Sequence, residues 1–234
     1  MATYDDADLL RAKLEALAEF AAGAGHEINN PLAVISGRAQ LLLRDERDPE
    51  RRRDLAVIRT QAMRIHEMIA DLMLFARPPL PRKTPCDLST LVAAAVDSLR
   101  PKAEVARVRL ERVGKSAPLT AEVDAEQIHV AVRAVVDNGL NVLAAGGAIS
   151  VELRGTTDGA QAAAKIIVRD DGPGIAPEVR EHLFDPFYSG REAGRGLGMG
   201  LSKAWRIATN HGGTLTCDEA ECGAQFTLRL PLGP

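Results

Sequence analysis

Over the first third of the chain, apolar residues recur every three or four positions, which is the spacing of one face of a helix. The first series runs through Leu10, Leu14, Leu17, Ala21, Ala24, Ile28, Leu32, Ile35, Ala39 and Leu42. A polar segment at residues 44–50 (RDERDPE) interrupts it, and a second series follows at Leu55, Ile58, Ala62, Ile65, Ile69, Leu72 and Phe75. The pattern therefore predicts two long helices joined by a short turn, an αα-hairpin.

A single hairpin of this kind would leave its apolar series exposed to water. Pairing two copies into a four-helix bundle would cover the series on both. The sequence therefore predicts a homodimer whose interface is formed by the hairpin.

The pattern changes after the hairpin. Four prolines in the nine residues 77–85 (RPPLPRKTP) cannot continue a helix and predict a semi-rigid linker. Beyond it, Asp124 with Gln127 three residues later is typical of a helix N-terminus. Further helices are predicted near residues 88–99 and 201–210, and strands near 108–113, 119–123, 149–153, 165–169, 214–217 and 225–230. This irregular order predicts an α/β sandwich, with helices on one face of a mixed, mostly antiparallel sheet.

These patterns divide the chain into three parts. Residues 1–77 form the predicted hairpin, residues 78–86 the linker and residues 87–234 the α/β domain. Since the order of helices and strands in the last part does not alternate strictly, a Rossmann-type sheet is disfavoured.

Composition narrows the function classes. Of 234 residues 46% are hydrophobic and 26% charged, and the net charge of −3 gives no reason to expect a nucleic acid or a membrane surface as the main partner. No apolar run approaches the roughly 18 residues that span a bilayer, and the acidic start is unlike a signal peptide, so no membrane segment is expected in this chain. The three cysteines lack zinc-ribbon spacing and are expected to be free thiols, which fits a cytoplasmic location.

The motif GHEINNP, at residues 25–31, nearly matches the zinc-protease signature H-E-x-x-H, but Asn30 stands where the second histidine would be. His26 is two residues from both Ala24 and Ile28 of the apolar series. At about 100° per residue it should point away from the bundle core, where another molecule can reach it. Pro31 removes one helix hydrogen bond, which predicts either a functional bend beside His26 or a harmless kink.

Two glycine-rich segments lie in the α/β region. The first, DDGPGI at residues 170–175, directly follows an apolar strand, so it places a fixed carboxylate beside backbone that a ligand can approach. The second, GRGLGMGL at residues 194–201, leads into a helix and offers bare N–H groups to phosphate. Neither is a P-loop, because no G-K-[ST] follows the glycines.

In this order the motifs resemble those of the sensor histidine kinases of two-component systems. DDGPGI and GRGLGMGL resemble their first and second glycine boxes, LFDPFYSG (residues 183–190) resembles their phenylalanine box, and GHEINNP resembles the phosphoacceptor box of the nitrogen-sensor-like subgroup. The resemblance covers about residues 10–230. It implies a dimerisation and histidine-phosphotransfer hairpin followed by a Bergerat-type ATP-binding domain.

The resemblance implies a role for each matching residue. His26 would receive the γ-phosphoryl group of ATP and pass it to an aspartate of a response-regulator receiver domain. Glu27 would fix the imidazole tautomer and take its proton, and Asn30 would orient a water for the reverse, phosphatase reaction. Asn138 would bind Mg²⁺ and Asp170 the adenine amine. The remaining nucleotide-binding residues implied are Gly172, Gly174, Arg191, Gly194, Gly196, Gly198 and Gly200.

The chain departs from the family pattern N-x-x-x-N-A. Ala134 stands where the first asparagine is usual, Gly139 replaces the usual alanine, and Asn141 occupies a position that is often basic. These departures keep open a first alternative, a catalytically weak nucleotide-binding scaffold of the same fold. A second alternative is an ATPase of the gyrase and chaperone superfamily without a phosphohistidine, since that superfamily shares the glycine boxes. The second alternative does not explain GHEINNP on an outward helix face.

Overall fold

The structure is a computed structural model that describes residues 6–76, 78–114, 118–158, 161–188, 198–220 and 222–232. Within the first helix, the side chains of residues 6–18, 20–22, 24 and 26 are outside this description. The chain divides into two compact units, Met1–Pro79 and Leu80–Pro234.

The first unit is the predicted αα-hairpin, with helix α1 at Asp6–Asp45 and helix α2 at Pro49–Ala76. Asp48 begins α2, because its Oδ1 accepts a hydrogen bond from the Glu50 N–H at 2.8 Å. Arg52 closes the turn by donating from Nη1 to the carbonyl oxygens of Leu43 and Glu46, both at 2.9 Å. The predicted turn is therefore held by side chains of the polar segment.

The apolar series of the hairpin is buried in part. Its described members Leu32, Ala39, Ala62, Leu72 and Phe75 are buried between the two helices. Four others are exposed: Ile35, Leu42, Ile58 and Ile65. The side chains of Leu10, Leu14, Leu17, Ala21 and Ala24 lie outside the described residues.

The second unit is built on a five-stranded sheet with the order β2-β4-β5-β7-β6. The only parallel pair among the described strands is β2 with β4, so the predicted mixed, mostly antiparallel sheet is confirmed. A separate two-stranded sheet pairs β1 with β3. The strands are β1 (Thr84–Asp87), β2 (Arg109–Val113), β3 (Thr120–Val123), β4 (Ala148–Asp158), β5 (Gln161–Asp170), β6 (Thr214–Asp218) and β7 (Gln225–Pro231).

The helices of this unit pack against one another and against the sheet. They are α3 (Leu88–Asp97), α4 (Arg100–Ala106), α5 (Ala125–Val142), α6 (Pro177–Arg180) and α7 (Gly200–Asn210). Helix α5 contacts α3 on one side and α7 on the other, so it is the central helix of the layer. The core between helices and sheet includes Leu88, Ile128, Ile149, Ile166 and Phe226, all nearly inaccessible to solvent.

Three features differ from the sequence expectation. Helix α4 is a separate helix with a proline in its first turn, and Arg107 ends it in the left-handed conformation at φ 56°. Strand β1 begins inside the segment predicted as a linker, where pairing with β3 satisfies its backbone. Strands β4 and β5 extend several residues beyond their apolar runs. No described helix is both long and apolar enough to cross a membrane.

Candidate functional site

The GHEINNP segment lies within α1, and the helix continues through Pro31. Glu27 and Asn30 are exposed, while Ile28 is partly buried, as its place in the apolar series requires. His26 is helical in its backbone, but its side chain lies outside the described residues. Its outward orientation therefore stays a prediction.

Two contacts join α1 to α2 beside this segment. Gly25 is buried, and a Cβ there would lie 3.2 Å from Met73 Sδ and 3.3 Å from Ile69 Cγ2, so the absence of a side chain brings the helices close. One turn further on, the His66 Nδ1–H donates to Asn29 Oδ1 at 2.9 Å. Sequence reasoning assigned no role to His66 or Gly25, because both contacts depend on the partner helix.

The two aspartates at the end of β5 have different partners. Asp171 is structural, because its Oδ1 accepts the Ala148 N–H at 2.8 Å. Asp170 is 8% exposed, and its Oδ1 accepts the N–H groups of Gly172 at 3.0 Å and Ala224 at 3.2 Å. Within the described part of the chain its other oxygen, Oδ2, makes no hydrogen bond. The site therefore presents one fixed carboxyl with one oxygen available to a donor.

The pKa of the Asp170 carboxyl reflects this environment. Burial raises the pKa of its carboxyl above the ordinary value, while the N–H groups of Gly172 and Ala224 oppose the rise by stabilising the anion. Carboxyl groups whose pKa is shifted by burial cluster at functional sites, which makes Asp170 a candidate site residue.

Glycines surround Asp170 closely enough to exclude side chains. A Cβ at Gly172 would lie 2.8 Å from Asp170 Oδ1, and a Cβ at Gly223 would lie 1.8 Å from the Asp170 carbonyl oxygen. Gly174 and Gly223 also have positive φ angles of 77° and 68°. Gly223 was not predicted; the only sequence signal is a glycine placed shortly before strand β7. These positions keep the backbone around the carboxyl bare.

The packing of α5 on strand β4 explains why glycine replaces the usual alanine at position 139. A Cβ at Gly139 of α5 would lie 2.9 Å from Ile149 Cδ1 and 3.8 Å from Asp170 Cβ. Ile149 is buried on β4, directly beneath this turn of the helix. Glycine at position 139 therefore makes room for a large side chain on the sheet.

Helix α5 carries the predicted metal ligand, Asn138, one residue before Gly139. The neighbouring positions 137 and 141 are linked, since Asn141 Nδ2 donates to Asp137 Oδ2 at 2.9 Å. Lys102 of α4 donates to both, to Asp137 Oδ1 at 2.5 Å and to Asn141 Oδ1 at 2.8 Å. A lysine that no motif contains thus contacts α5 at the residues one before and three after Asn138.

The start of α5 is fixed by a buried histidine. Asp124 caps the helix by accepting the Gln127 N–H at 3.1 Å, and its own N–H donates to His211 Nε2 at 3.0 Å. His211 Nδ1–H donates to the Ile207 carbonyl oxygen at 2.8 Å. Burial lowers the pKa of His211, so the neutral tautomer with the proton on Nδ1 is favoured. His211 is therefore structural, joining the end of α7 to the start of α5.

The second glycine segment is described only at its end. Gly198 has φ 69°, and a Cβ there would lie 2.1 Å from the Tyr188 carbonyl oxygen; Gly200 is the first residue of α7. Arg191, Gly194 and Gly196 lie outside the described residues. In the preceding box, Phe184 is partly buried, whereas Phe187 is 49% exposed with φ 65°. Phe187 is therefore not a core aromatic.

Two family descriptions match the chain. Residues 16–80 match the "His Kinase A (phospho-acceptor) domain", and residues 123–234 match the "Histidine kinase-, DNA gyrase B-, and HSP90-like ATPase" family. The first match contains the GHEINNP segment. The second contains Asn138, Asp170 and both glycine segments.

The curated relatives are histidine kinases. The chain is 31% identical to the signal transduction histidine-protein kinase AtoS of Escherichia coli, over 95% of this chain and 36% of that protein. It is 28% identical to sporulation kinase D of Bacillus subtilis, over 94% of this chain and 43% of that protein. The chain thus spans less than half the length of these two relatives.

Solved structures share the fold. Full-length ShkA in complex with AMPPNP has a TM-score of 0.79 at 23% identity, over 92% of this chain and 46% of ShkA. The histidine kinase ThkA in complex with the response regulator protein TrrA has a TM-score of 0.65 at 23% identity, over 96% of this chain and 64% of that chain. At this identity the likeness concerns the fold.

Proposed function

The chain belongs to the histidine kinases of two-component signalling, and we propose that it transfers the γ-phosphoryl group of ATP to His26 and then to a response-regulator aspartate. In this proposal, residues 1–77 are the dimerisation and phosphotransfer domain, residues 78–86 the linker and residues 87–234 the ATP-binding domain. The relatives are named as kinases, so the alternative of a weak scaffold is not favoured.

The observation that carries the proposal is the geometry of Asp170. Two backbone N–H groups hold one of its oxygens, and the bare backbone of Gly172 leaves space beside it. The free oxygen can accept a hydrogen bond from the exocyclic amine of adenine. Guanine carries a carbonyl at the equivalent position and would leave the carboxylate unpaired, so the site would select ATP.

The phosphates would lie toward the start of α7. Gly198, Gly200 and the N-terminus of α7 supply backbone N–H groups and a favourable helix dipole. Arg191, Gly194 and Gly196 are proposed to complete this lid on the basis of their sequence positions. Asn138 would hold Mg²⁺ through its amide oxygen; Mg²⁺ typically takes few protein ligands alongside nucleotide phosphates and would neutralise charge on the phosphoryl group.

The transfer step requires a histidine with one free lone pair. One imidazole nitrogen attacks the γ-phosphorus, an N–P bond forms, and the bond from phosphorus to the β,γ-bridging oxygen breaks to release ADP. The exposed Glu27 carboxylate, adjacent in sequence, can accept the proton from the other nitrogen. The resulting phosphoramidate donates the phosphoryl group to an aspartate carboxylate, and the histidine regains its proton.

Asn30 is proposed for the reverse reaction. It is exposed on α1 one turn after His26, so its amide can orient a water toward a phosphoaspartate on the receiver domain. The response regulator is the partner of this proposal, as TrrA is of ThkA.

We also propose a cytoplasmic homodimer. The exposed Ile35, Leu42, Ile58 and Ile65 would be covered by the hairpin of a second copy. ATP as substrate and three free cysteines, Cys86, Cys217 and Cys222, fit a reducing compartment.

Labelling with γ-³²P-ATP and Mg²⁺ tests the proposal. The chain should acquire acid-labile, base-stable label, and His26→Gln should abolish it. His66→Gln is the matched control, since it removes an exposed histidine of the same hairpin and should leave the label in place. Asp170→Asn should abolish both nucleotide binding and labelling. Label that persists in His26→Gln would overturn the assignment.

A further inference from the structure

Lys102 places a positive charge beside residue 141 of α5, where related kinases often have a basic side chain of α5 itself. Its ammonium lies 2.8 Å from Asn141 Oδ1. Here that side chain is neutral, and the positive charge comes instead from helix α4. The charge is retained although its position in the sequence has changed.

Lys102 contacts α5 beside the proposed metal ligand, through Asn141. Asn141 follows Asn138 by three residues and Asp137 by four, so Asn141 is a surface neighbour of both, whereas Asp137 and Asn138 point about 100° apart. Asp137 alone would place a negative charge against Asn141, close enough to repel the phosphates of a nucleotide bound at Asn138. Pairing with Lys102 removes this repulsion.

The pair is too exposed to be explained by stability. The side chain of Lys102 is 45% exposed and that of Asp137 is 37% exposed. Ion pairs this exposed contribute little to the free energy of unfolding. A lysine ammonium has three N–H groups, and within the described residues two are used, on Asp137 and Asn141. The third can donate to an anionic oxygen.

We propose that Lys102 is a further nucleotide-binding residue, which α4 brings to α5 to bind a phosphate oxygen of ATP in place of a basic residue at position 141. Asp137 and Asn141 hold the ammonium in position, and its third N–H donates to the phosphate. The proposal rests on the proposed kinase function, since it assigns a further contact in the same nucleotide site.

A series of ligands of increasing charge isolates this contact. Adenosine, AMP, ADP and AMP-PNP, each with Mg²⁺, are titrated calorimetrically into the full chain and into Lys102→Met. The variant should bind AMP-PNP about tenfold more weakly, the change expected for one charge-assisted hydrogen bond, and should bind adenosine as the wild type does. The first ligand at which the loss appears identifies the phosphate that Lys102 contacts.

Rescue and control variants separate charge from structure. Lys102→Met combined with Asn141→Lys should restore AMP-PNP affinity, because it returns the charge to the usual position. Arg100→Met removes a similarly exposed ion pair of the same helix, with Asp97, and should leave every affinity unchanged. In autophosphorylation, Lys102→Met should raise the KM for ATP while most of kcat is retained.

Two results would overturn the proposal. One is an equal loss of adenosine and AMP-PNP affinity in Lys102→Met, which would mean that the lysine only supports α5. The other is an unchanged AMP-PNP affinity. Absence of label on His26 in the wild type would overturn the kinase function but leave this ligand series readable, whereas a wild type that bound none of the four ligands would overturn both.

Discussion

The hairpin and the α/β unit bury their apolar side chains to very different extents. In the α/β unit, large side chains such as Phe226 are at most 2% exposed, and the sheet and helices enclose them completely. In the hairpin, Leu42 is 59% exposed and Ile58 47%, although both belong to the regular apolar series. The α/β unit therefore completes its own core, whereas the hairpin leaves apolar side chains exposed for the second copy that we propose.

Two spectroscopic signals report on the two units separately. Trp205, the only tryptophan of the chain, lies on α7, so its fluorescence reports the α/β unit. The hairpin contains the two longest described helices, so its loss should dominate the change in far-ultraviolet circular dichroism. Each of the following predictions distinguishes the two units with these signals.

The largest effect is expected from a charge on the exposed apolar face of the hairpin. Leu42→Lys or Ile58→Lys should raise the dimer dissociation constant at least about a hundredfold, because each apolar side chain contributes about 1.5–3 kcal/mol and occurs twice in a dimer. Light scattering and circular dichroism should show dissociation and lost helix, while Trp205 fluorescence is unchanged.

Gln40→Lys is the control for that experiment, since Gln40 is exposed on the same helix but is outside the apolar series. It should leave the dimer intact. A Leu42→Lys chain that remained dimeric at micromolar concentration would show that this face is not the interface.

Gly223→Ala is expected to destabilise the α/β unit and to leave the hairpin unchanged. Its Cβ would overlap the Asp170 carbonyl oxygen, and the φ of 68° disfavours any side chain, so the α/β unit should lose more than about 2 kcal/mol of unfolding free energy. Denaturant titration followed by Trp205 fluorescence measures this loss, and nucleotide binding should disappear. The hairpin dimer should persist.

Gly146→Ala is the control for Gly223→Ala, because it distinguishes backbone strain from steric overlap of the new Cβ. Gly146 has φ 95° but no atom within 4 Å of a Cβ, so only strain is added and the loss should be smaller. Equal losses in the two variants would mean that the contact with Asp170 is unimportant.

A smaller effect is expected where the core meets the candidate site. Gly139→Ala should weaken nucleotide binding and cost about 1–2 kcal/mol, because its methyl group would overlap Ile149 Cδ1 and overpack the core. Ile149→Val removes that methyl group, so the double variant should regain the affinity. Additive effects in this double-mutant cycle would contradict the proposed compensation.

The smallest effect is a pH dependence confined to the α/β unit. His211 is neutral when folded, and burial lowers its pKa below the ordinary value of 6.5, so the unfolded chain binds the proton more readily. Its contribution to stability is therefore complete above pH 6.5 and decreases as the pH falls toward the folded pKa, with a slope of at most about 1.4 kcal/mol per pH unit. The nearby charged groups are Asp124, which favours protonation, and Lys83, which opposes it.

Denaturant titrations between pH 7.5 and 5.5, followed by Trp205 fluorescence, test this dependence. His211→Gln should lower stability at pH 7.5 and flatten the pH profile, since glutamine keeps polar atoms but does not titrate. A variant profile as steep as that of the wild type would assign the dependence to another group.

Much of this protein could be predicted from the order of its residues. The hairpin and its turn follow from the spacing of apolar residues, a local property that survives in any context. The end of β5 and the start of α7 were predicted from glycines beside an aspartate and before a helix. Helix α4 and strand β1 were missed, because prolines nearby suggested only interruption and the pairing partner, β3, lies far along the chain.

The sequence by itself determined which residues we propose for the chemistry: His26 in its motif, Asp170 and the two glycine segments. Their recognition depends on local order, which folding does not change. The tertiary structure decided which contacts the residues of the α/β unit make. It made Asp171 structural and left an oxygen of Asp170 available, matched Gly139 to Ile149, and brought Lys102 to Asn141. These are contacts between residues distant in sequence, and only the packing of helices against the sheet determines which side chains meet.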